Sequence, residues 1–309
     1  MDTFVQQLIN GLVLGSIYAL VALGYTMVYG ILELINFAHG EVTMMGALVA
    51  LAVIGGLLGQ GVALPGLVIV LIGLGVAIAA CMLLGFAIER IAYRPLRRAP
   101  RLTALITAIG MSIVLQNVAM LIWGKQYITF PDVLPLARFE AGGITINALQ
   151  IAIVLLSCVL MAGLWFLVQR TGFGRAMRAT AQSPELAGLM GINSNHVISI
   201  TFVLGAALAA IAGVMVAAYY TQAHYYMGFL LGLKAFTAAV LGGIGNIAGA
   251  MLGGLLLGIL ESLGAGYIGD LTGGFLGSHY QDVFAFFVLI GVLVFRPSGL
   301  LGERVGERA

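Results

Sequence analysis

The first lysine or arginine in this chain is Arg90. Ahead of it lie three runs, at residues 5 to 28, 31 to 58 and 64 to 88, in which apolar side chains follow one another almost without charge. Further runs occupy 102 to 123, 147 to 168, 197 to 220, 233 to 262 and 281 to 296. A hydrocarbon core about 30 Å thick takes roughly 20 helical residues to cross, and most of these runs reach that length. They show no alternation with period two, so the crossings are helices and not barrel strands. Composition agrees: 61% of residues are hydrophobic and 8% charged, whereas an ordinary soluble domain is about 25% charged. The expectation is an all-α polytopic membrane protein with about 8 membrane segments, up to about 10 counting broken or re-entrant halves, built as a single domain over residues 1–309. With Asp2 at the start and no early basic residue, the N-terminus lacks the positive region of a cleaved signal peptide, so the first apolar segment is expected to be retained.

Charge placement sets the topology. Eleven of the 14 lysines and arginines fall in three clusters: Arg90, Arg94, Arg97, Arg98 and Arg101; Arg170, Arg175 and Arg178; Arg296, Arg304 and Arg308. Basic residues next to membrane segments favour the cytoplasmic side, and an even number of crossings must separate any two cytoplasmic clusters. Runs 102 to 123 and 147 to 168 satisfy this, with a charge-balanced external loop carrying Lys125, Asp132, Arg138 and Glu140. Between Arg178 and Arg296, three simple crossings would leave the basic C-terminus outside. The 233 to 262 run is therefore expected to be two elements, a re-entrant hairpin or a broken helix, interrupted at the glycine-dense stretch around Asn246. Such interruptions in lipid need protein or water around them.

The run from 31 to 58 carries a similar device. Asn36-Phe37-Ala38-His39-Gly40 echoes Asn246-Ile247-Ala248-Gly249, so the two interruptions form a candidate internal repeat. Between Tyr29 and Gly46, Glu33, Asn36, His39 and Glu41 gather in an otherwise apolar stretch. A charge at the bilayer centre costs about 2.5 to 3.5 kcal/mol on insertion scales, so such groups need a cavity, partners or an interface. Asn36, His39, Glu41 and Asn246 are the candidate translocation path. Glu261 is a further acid within an apolar run, open to the same reading or to a structural one. Lys234, beside an external loop, reads as an interfacial charge, and Gln116 and Asn117 read as hydrogen-bonding links between helices. Gly245, Gly249 and Gly253, with Gly254 and Gly258, form a small-residue ridge suited to close helix contact.

The 169 to 197 loop differs from the other connections. Ser183-Pro184-Glu185 reads as a helix start with proline in the first turn, and Gly191 as its stop, predicting a short helix from Pro184 to about Met190. Its small face, Ala187 and Gly188, suits either docking against a soluble partner or a solvated turn. Cys81 and Cys158 imply neither a disulfide framework nor a metal site. The scattered histidines, His39, His196, His224 and His279, lack metal spacing, and neither a phosphate-binding GxxxxGK[ST] loop nor GxSxG occurs. No cofactor, metal, catalytic residue or nucleic-acid partner is expected.

Taken together, GYTMVYG at 24 to 30, INFAHGE at 35 to 41, the block from Glu89 to Asn117, GINSNHVISITFVLGAALAAIAGV at 191 to 214 and GLKAFTAAVLGGIGNIAGAMLGG at 232 to 254 resemble the permease subunit of the high-affinity branched-chain amino acid importers of the ATP-binding cassette class. The resemblance covers nearly the whole chain. It implies a translocation subunit in the bacterial inner membrane, not an enzyme. Its partners would be a homologous second permease, two cytoplasmic ATPase subunits and a periplasmic or extracellular substrate-binding protein. It also implies that the 169 to 197 loop is the segment coupled to an ATPase, with Gly174, Arg175, Ala187, Gly188 and Gly191 matching the family's loop pattern. Urea and short-amide permeases share a similar block, and an ion-coupled secondary transporter remains the alternative of a different class.

Overall fold

The computed structural model describes residues 2–97, 99–133, 137–141, 143–271 and 281–302. Arg98, His279, Arg304 and Arg308 lie outside them. In chain order the helices are α1 (Asp2–Leu32), α2 (His39–Gly59), α3 (Gly66–Ile88), α4 (Arg101–Trp123), α5 (Ala148–Arg170), α6 (Gly172–Gln182), α7 (Pro184–Leu189), α8 (Ser194–Tyr220), α9 (Met227–Gly242), α10 (Ile247–Leu271) and α11 (Gln281–Phe295). Among the described residues, 7 helices are long and apolar enough to cross a membrane: α1, α2, α3 with its extension to Leu96, α4, α5, α8 and α10. The shorter apolar helix α9 joins them, and the chain is an all-α polytopic membrane protein.

Short strands, which the apolar runs give no hint of, ornament two connections. Strand β1 (Ile128–Thr129) pairs antiparallel with Gln222–Ala223, which follows α8. Residues Arg138–Ala141 and Ile144–Asn147 form a hairpin, turned through Gly143 at φ +84.

Two compact units divide the chain: residues 27–135 with 164–233, and residues 1–26, 136–163 and 234–309. In the first, α2, α3 and α8 pack together through small residues. A side chain on Gly213 would place its Cβ 2.0 Å from the Thr43 carbonyl oxygen, and one on Gly46 would meet Ala210 Cα at 2.6 Å. Backbones this close maximise dispersion contact where lipid supplies no hydrophobic drive. Glycine does the same in the second unit, where the ridge on α10 serves two neighbours. Gly254 and Gly258 lie against Ala19 and Gly15 of α1, and Gly249 and Gly253 against Gly242 and Ala238 of α9.

The break expected near Asn246 is there: residues 243–246 separate α9 from α10. Pairing of Gly242 with Gly249 and of Ala238 with Gly253 makes α9 and α10 an antiparallel helical hairpin. The C-terminal segment lies along its turn, with Leu300 N–H donating to the Leu241 carbonyl and Leu301 N–H to that of Gly242, both at 2.9 Å. These bonds occupy acceptors that a helix C-terminus leaves open.

The first break lies where the Asn36 echo places it, a few residues towards the N-terminus. Helix α1 continues through Leu32 and stops at Glu33, whose φ of 51 is left-handed, an uncommon conformation for a residue bearing a Cβ. Residues 33–38 form the interruption and α2 begins at His39, so the break opens the 31 to 58 run instead of dividing it.

The 169 to 197 loop holds two helices. The expected one is α7, with Ser183 Oγ accepting from Leu186 N–H at 3.2 Å and Gly191 at φ +83 ending it. Helix α6 was not expected. Thr171 caps it by accepting from Gly174 N–H, and Gly174 crosses so close to α5 that a Cβ would lie 1.9 Å from the Val168 carbonyl oxygen.

Candidate functional site

The polar cluster is built by two helix starts and one helix face. Asn36 is buried in the break before α2, where its Oδ1 accepts from Ala38 N–H at 3.2 Å and from the Tyr93 hydroxyl at 3.0 Å. His39 N–H donates to the Asn36 carbonyl at 3.0 Å, so the break turns directly into the first residue of α2. Asn36 thus holds the break, and His39, also buried, opens the helix.

Glu41 lies in the first turn of α2 and is 1% exposed. Its Oε1 accepts from Ser112 Oγ at 3.0 Å and from Gln116 Nε2 at 2.6 Å. Ser112 and Gln116 are four apart on α4 and therefore on one face. Ser112 is the central residue of that helix, which sets the carboxylate level with the helix's middle. Oε2 has no hydrogen-bond partner among the described residues. It lies against Gly228 in the first turn of α9, where a Cβ would come within 2.5 Å of it. Gly40 packs on the same stretch, with Gly228 and Gly232. The N-terminal end of the α2 dipole favours a negative charge here, by about 0.3 to 1 kcal/mol for an exposed site.

Gln116 was legible as a link between helices, although its partner was not. Asn117 has a different role, because its Nδ2 donates to the Ile113 carbonyl of its own helix at 2.8 Å.

A second polar system, which the sequence did not announce, extends from the end of α3. There Glu89–Tyr93 forms a turn of π-helix, the kind of irregularity often found at functional positions. The fully buried Glu89 pairs with Arg97 and accepts from Ser199 Oγ at 2.7 Å, while Arg97 also donates to Asn195 Oδ1. Ser194 Oγ donates to the Pro184 carbonyl at 3.1 Å. Named contacts therefore run from α7 through the start of α8 to the π turn, and from its Tyr93 to Asn36.

In the loop itself, Gly174 and Ala187 are buried, while Arg175, Gly188 and Gly191 are exposed. The exposed apolar face of α7 and its end is Leu186, Leu189 and Met190, the last two 84% and 83% exposed. Ala187, expected on the outer small face, packs inward instead.

In the other unit, Asn246 Oδ1 accepts from Gly249 N–H at 3.1 Å, capping α10, and its Nδ2 donates to the Leu301 carbonyl at 2.8 Å. Both ends of its amide hold backbone. Lys234, expected as an interfacial charge, instead forms an ion pair with Glu261 across the hairpin, Nζ to Oε1 at 2.7 Å. The Tyr18 hydroxyl donates to the same oxygen at 3.2 Å, and its ring centroid is 5.8 Å from Nζ. The two charges are 27 residues apart and meet because α9 folds back on α10.

The profile of the family described as "Branched-chain amino acid transport system / permease component" matches residues 7–293. The chain is 48% identical to the high-affinity branched-chain amino acid transport system permease protein BraD of Pseudomonas aeruginosa, over 99% of this chain and 98% of the relative. It is 46% identical to the corresponding permease LivH of Escherichia coli K12, over 99% and 97%. The galactofuranose transporter permease YtfT of the same organism is 29% identical over 94% of this chain and 80% of its own length. On a match of this extent, the chain belongs to the family of permease components of branched-chain amino acid transport systems.

Proposed function

We propose that residues 1–309 act as one permease domain that moves leucine, isoleucine and valine across the bacterial inner membrane into the cytoplasm, driven by ATP hydrolysis in partner subunits. The observation that carries this is the 48% identity to BraD along 99% of the chain. The partners are a homologous second permease, two cytoplasmic ATPases and a substrate-binding protein on the outer side. The basic clusters and the C-terminus face the cytoplasm, and the 124 to 146 connection faces outward.

Residues 169–197 dock on an ATPase. Leu186, Leu189 and Met190 offer an apolar knob outside the membrane segments, in the same loop as the exposed Arg175. Gly188 adds no side chain next to it, and Gly191 turns the chain back towards α8. Gly174 and Ala187 secure the loop to its own unit. Closure of the ATPases displaces α7, and the contacts through Ser194, Asn195, Arg97 and Glu89 carry that displacement to the π turn and to Asn36. A switch of this kind requires the nucleotide to favour one of two arrangements.

Reconstitution of the full complex in proteoliposomes tests the reading. Uptake of leucine and valine that needs ATP and survives collapse of ion gradients is the expected result. Uptake that follows an ion gradient instead, or urea as the transported solute, would replace it. Leu189→Glu and Arg175→Glu should abolish transport-coupled ATPase stimulation while leaving membrane insertion intact; unchanged stimulation would move docking elsewhere.

A further inference from the structure

Three carboxylates are buried among the described residues, and their partners differ. Glu89 has Arg97 and Glu261 has Lys234. Glu41 forms no ion pair among the described residues. The groups facing it from α4 are the neutral Ser112 and Gln116, both on Oε1, and from α9 the backbone of Gly228. Oε2 is left without a hydrogen bond at the level of a transmembrane helix's middle. A buried carboxylate in that position either takes a proton or meets a cation. Intramembrane acids of this kind mark substrate and ion paths.

We propose that Glu41 is the counter-charge for the ammonium group of the transported amino acid, with Oε2 as the acceptor and Ser112 and Gln116 holding Oε1 in place. The inference rests on the proposed function, since it takes its cation from an amino-acid substrate. The bare backbone of Gly228 is what Oε2 faces in this structure. Separation of Gly40 from Gly228 and Gly232 uncovers the oxygen, and glycine at all three positions lets the two helices part without disengaging side chains. An ammonium group arriving there satisfies the open acceptor and neutralises the charge in one contact.

The test uses the reconstituted complex with Glu41→Gln, which keeps shape and removes charge, and Glu41→Asp, which keeps charge. The Gln variant should assemble into the full complex and lose leucine uptake by tenfold or more, about the loss of 1.4 kcal/mol of binding, while the Asp variant retains part of it. Wild-type uptake by the Gln variant overturns the proposal. Equal loss in both variants with the complex intact also overturns it, because shape and not charge would then matter. A Gln variant that fails to assemble assigns the charge to folding, with the same consequence. The substrate reading itself is judged separately, by whether the wild-type complex takes up leucine at all.

Discussion

Glu261 and Glu41 are both 1% exposed carboxylates inside apolar helices, yet the fold treats them oppositely. Around Glu261 it supplies a cation and a hydroxyl donor, Lys234 and Tyr18, both on Oε1, with the tyrosine ring against the lysine. Around Glu41 it supplies two neutral donors to one oxygen and leaves the other against glycine. A buried ion pair of this kind is a means of joining elements, here α9, α10 and α1. An acid left incomplete at the same burial is a means of meeting something that comes and goes. The difference separates a polar group that builds the fold from one that the fold keeps available.

The largest effect should come from breaking the completed pair. Lys234→Met leaves Glu261 charged and buried without its cation, and losing one partner of a buried pair costs about 3 to 5 kcal/mol. Reduced yield of folded protein and a lowered unfolding midpoint in detergent would register this. The double variant Lys234→Met with Glu261→Gln should recover much of the loss, since no bare charge then remains. If the single variant is as stable as wild type, the pair does not hold the hairpin.

How much of this was legible depends on the range of the interaction. The long helices follow from runs of apolar residues, and α7 from the local sequence Ser183-Pro184 with Gly191, because capping acts within one turn. The break at Asn246 followed from charge parity, a global constraint that needs no knowledge of contacts. Partners across helices were not legible. Lys234 meets Glu261 only because the hairpin closes, and Glu41 meets Gln116 across 75 residues. The π turn at Glu89–Tyr93 and the ion pair from its Glu89 to Arg97 carry no pattern that separates them from a simple helix end with arginines. Leu186, Leu189 and Met190 were in plain view, but only packing of Ala187 inward reveals which face of α7 is left outside.

Next in size is Gln116→Leu. It removes the 2.6 Å hydrogen bond to Glu41 and leaves, among the described residues, Ser112 as the donor. Hydrogen bonds to charged groups contribute about 1.5 to 3 kcal/mol, so the loss should stay below that from Lys234→Met. Leucine uptake should fall as well, because Oε1 is less firmly held. A larger loss of stability than in the lysine variant would reverse the roles assigned to the two acids. Smaller again, Tyr93→Phe removes one neutral donor to Asn36, about 1 kcal/mol. Its more telling readout is coupling: ATPase stimulation by the loaded binding protein should weaken although the loop is untouched. Full coupling in that variant would detach the π turn from transmission.

The smallest effect on stability should be that of Glu41→Gln, and it bears most directly on the comparison. The amide oxygen can still accept from Ser112 and Gln116, and no counter-charge is orphaned, because none stands beside Glu41 among the described residues. Removing the charge from an incompletely paired acid also removes its desolvation cost, so folded stability should change by no more than about 1 kcal/mol in either direction. The equivalent change at the other acid, Glu261→Gln, strands Lys234 and should cost several times as much, about 3 to 5 kcal/mol. Measuring both unfolding midpoints in one detergent isolates the contrast, since length, side-chain volume and chemistry are matched. Equal destabilisation would mean that both acids serve the fold and that neither is reserved for a passing cation.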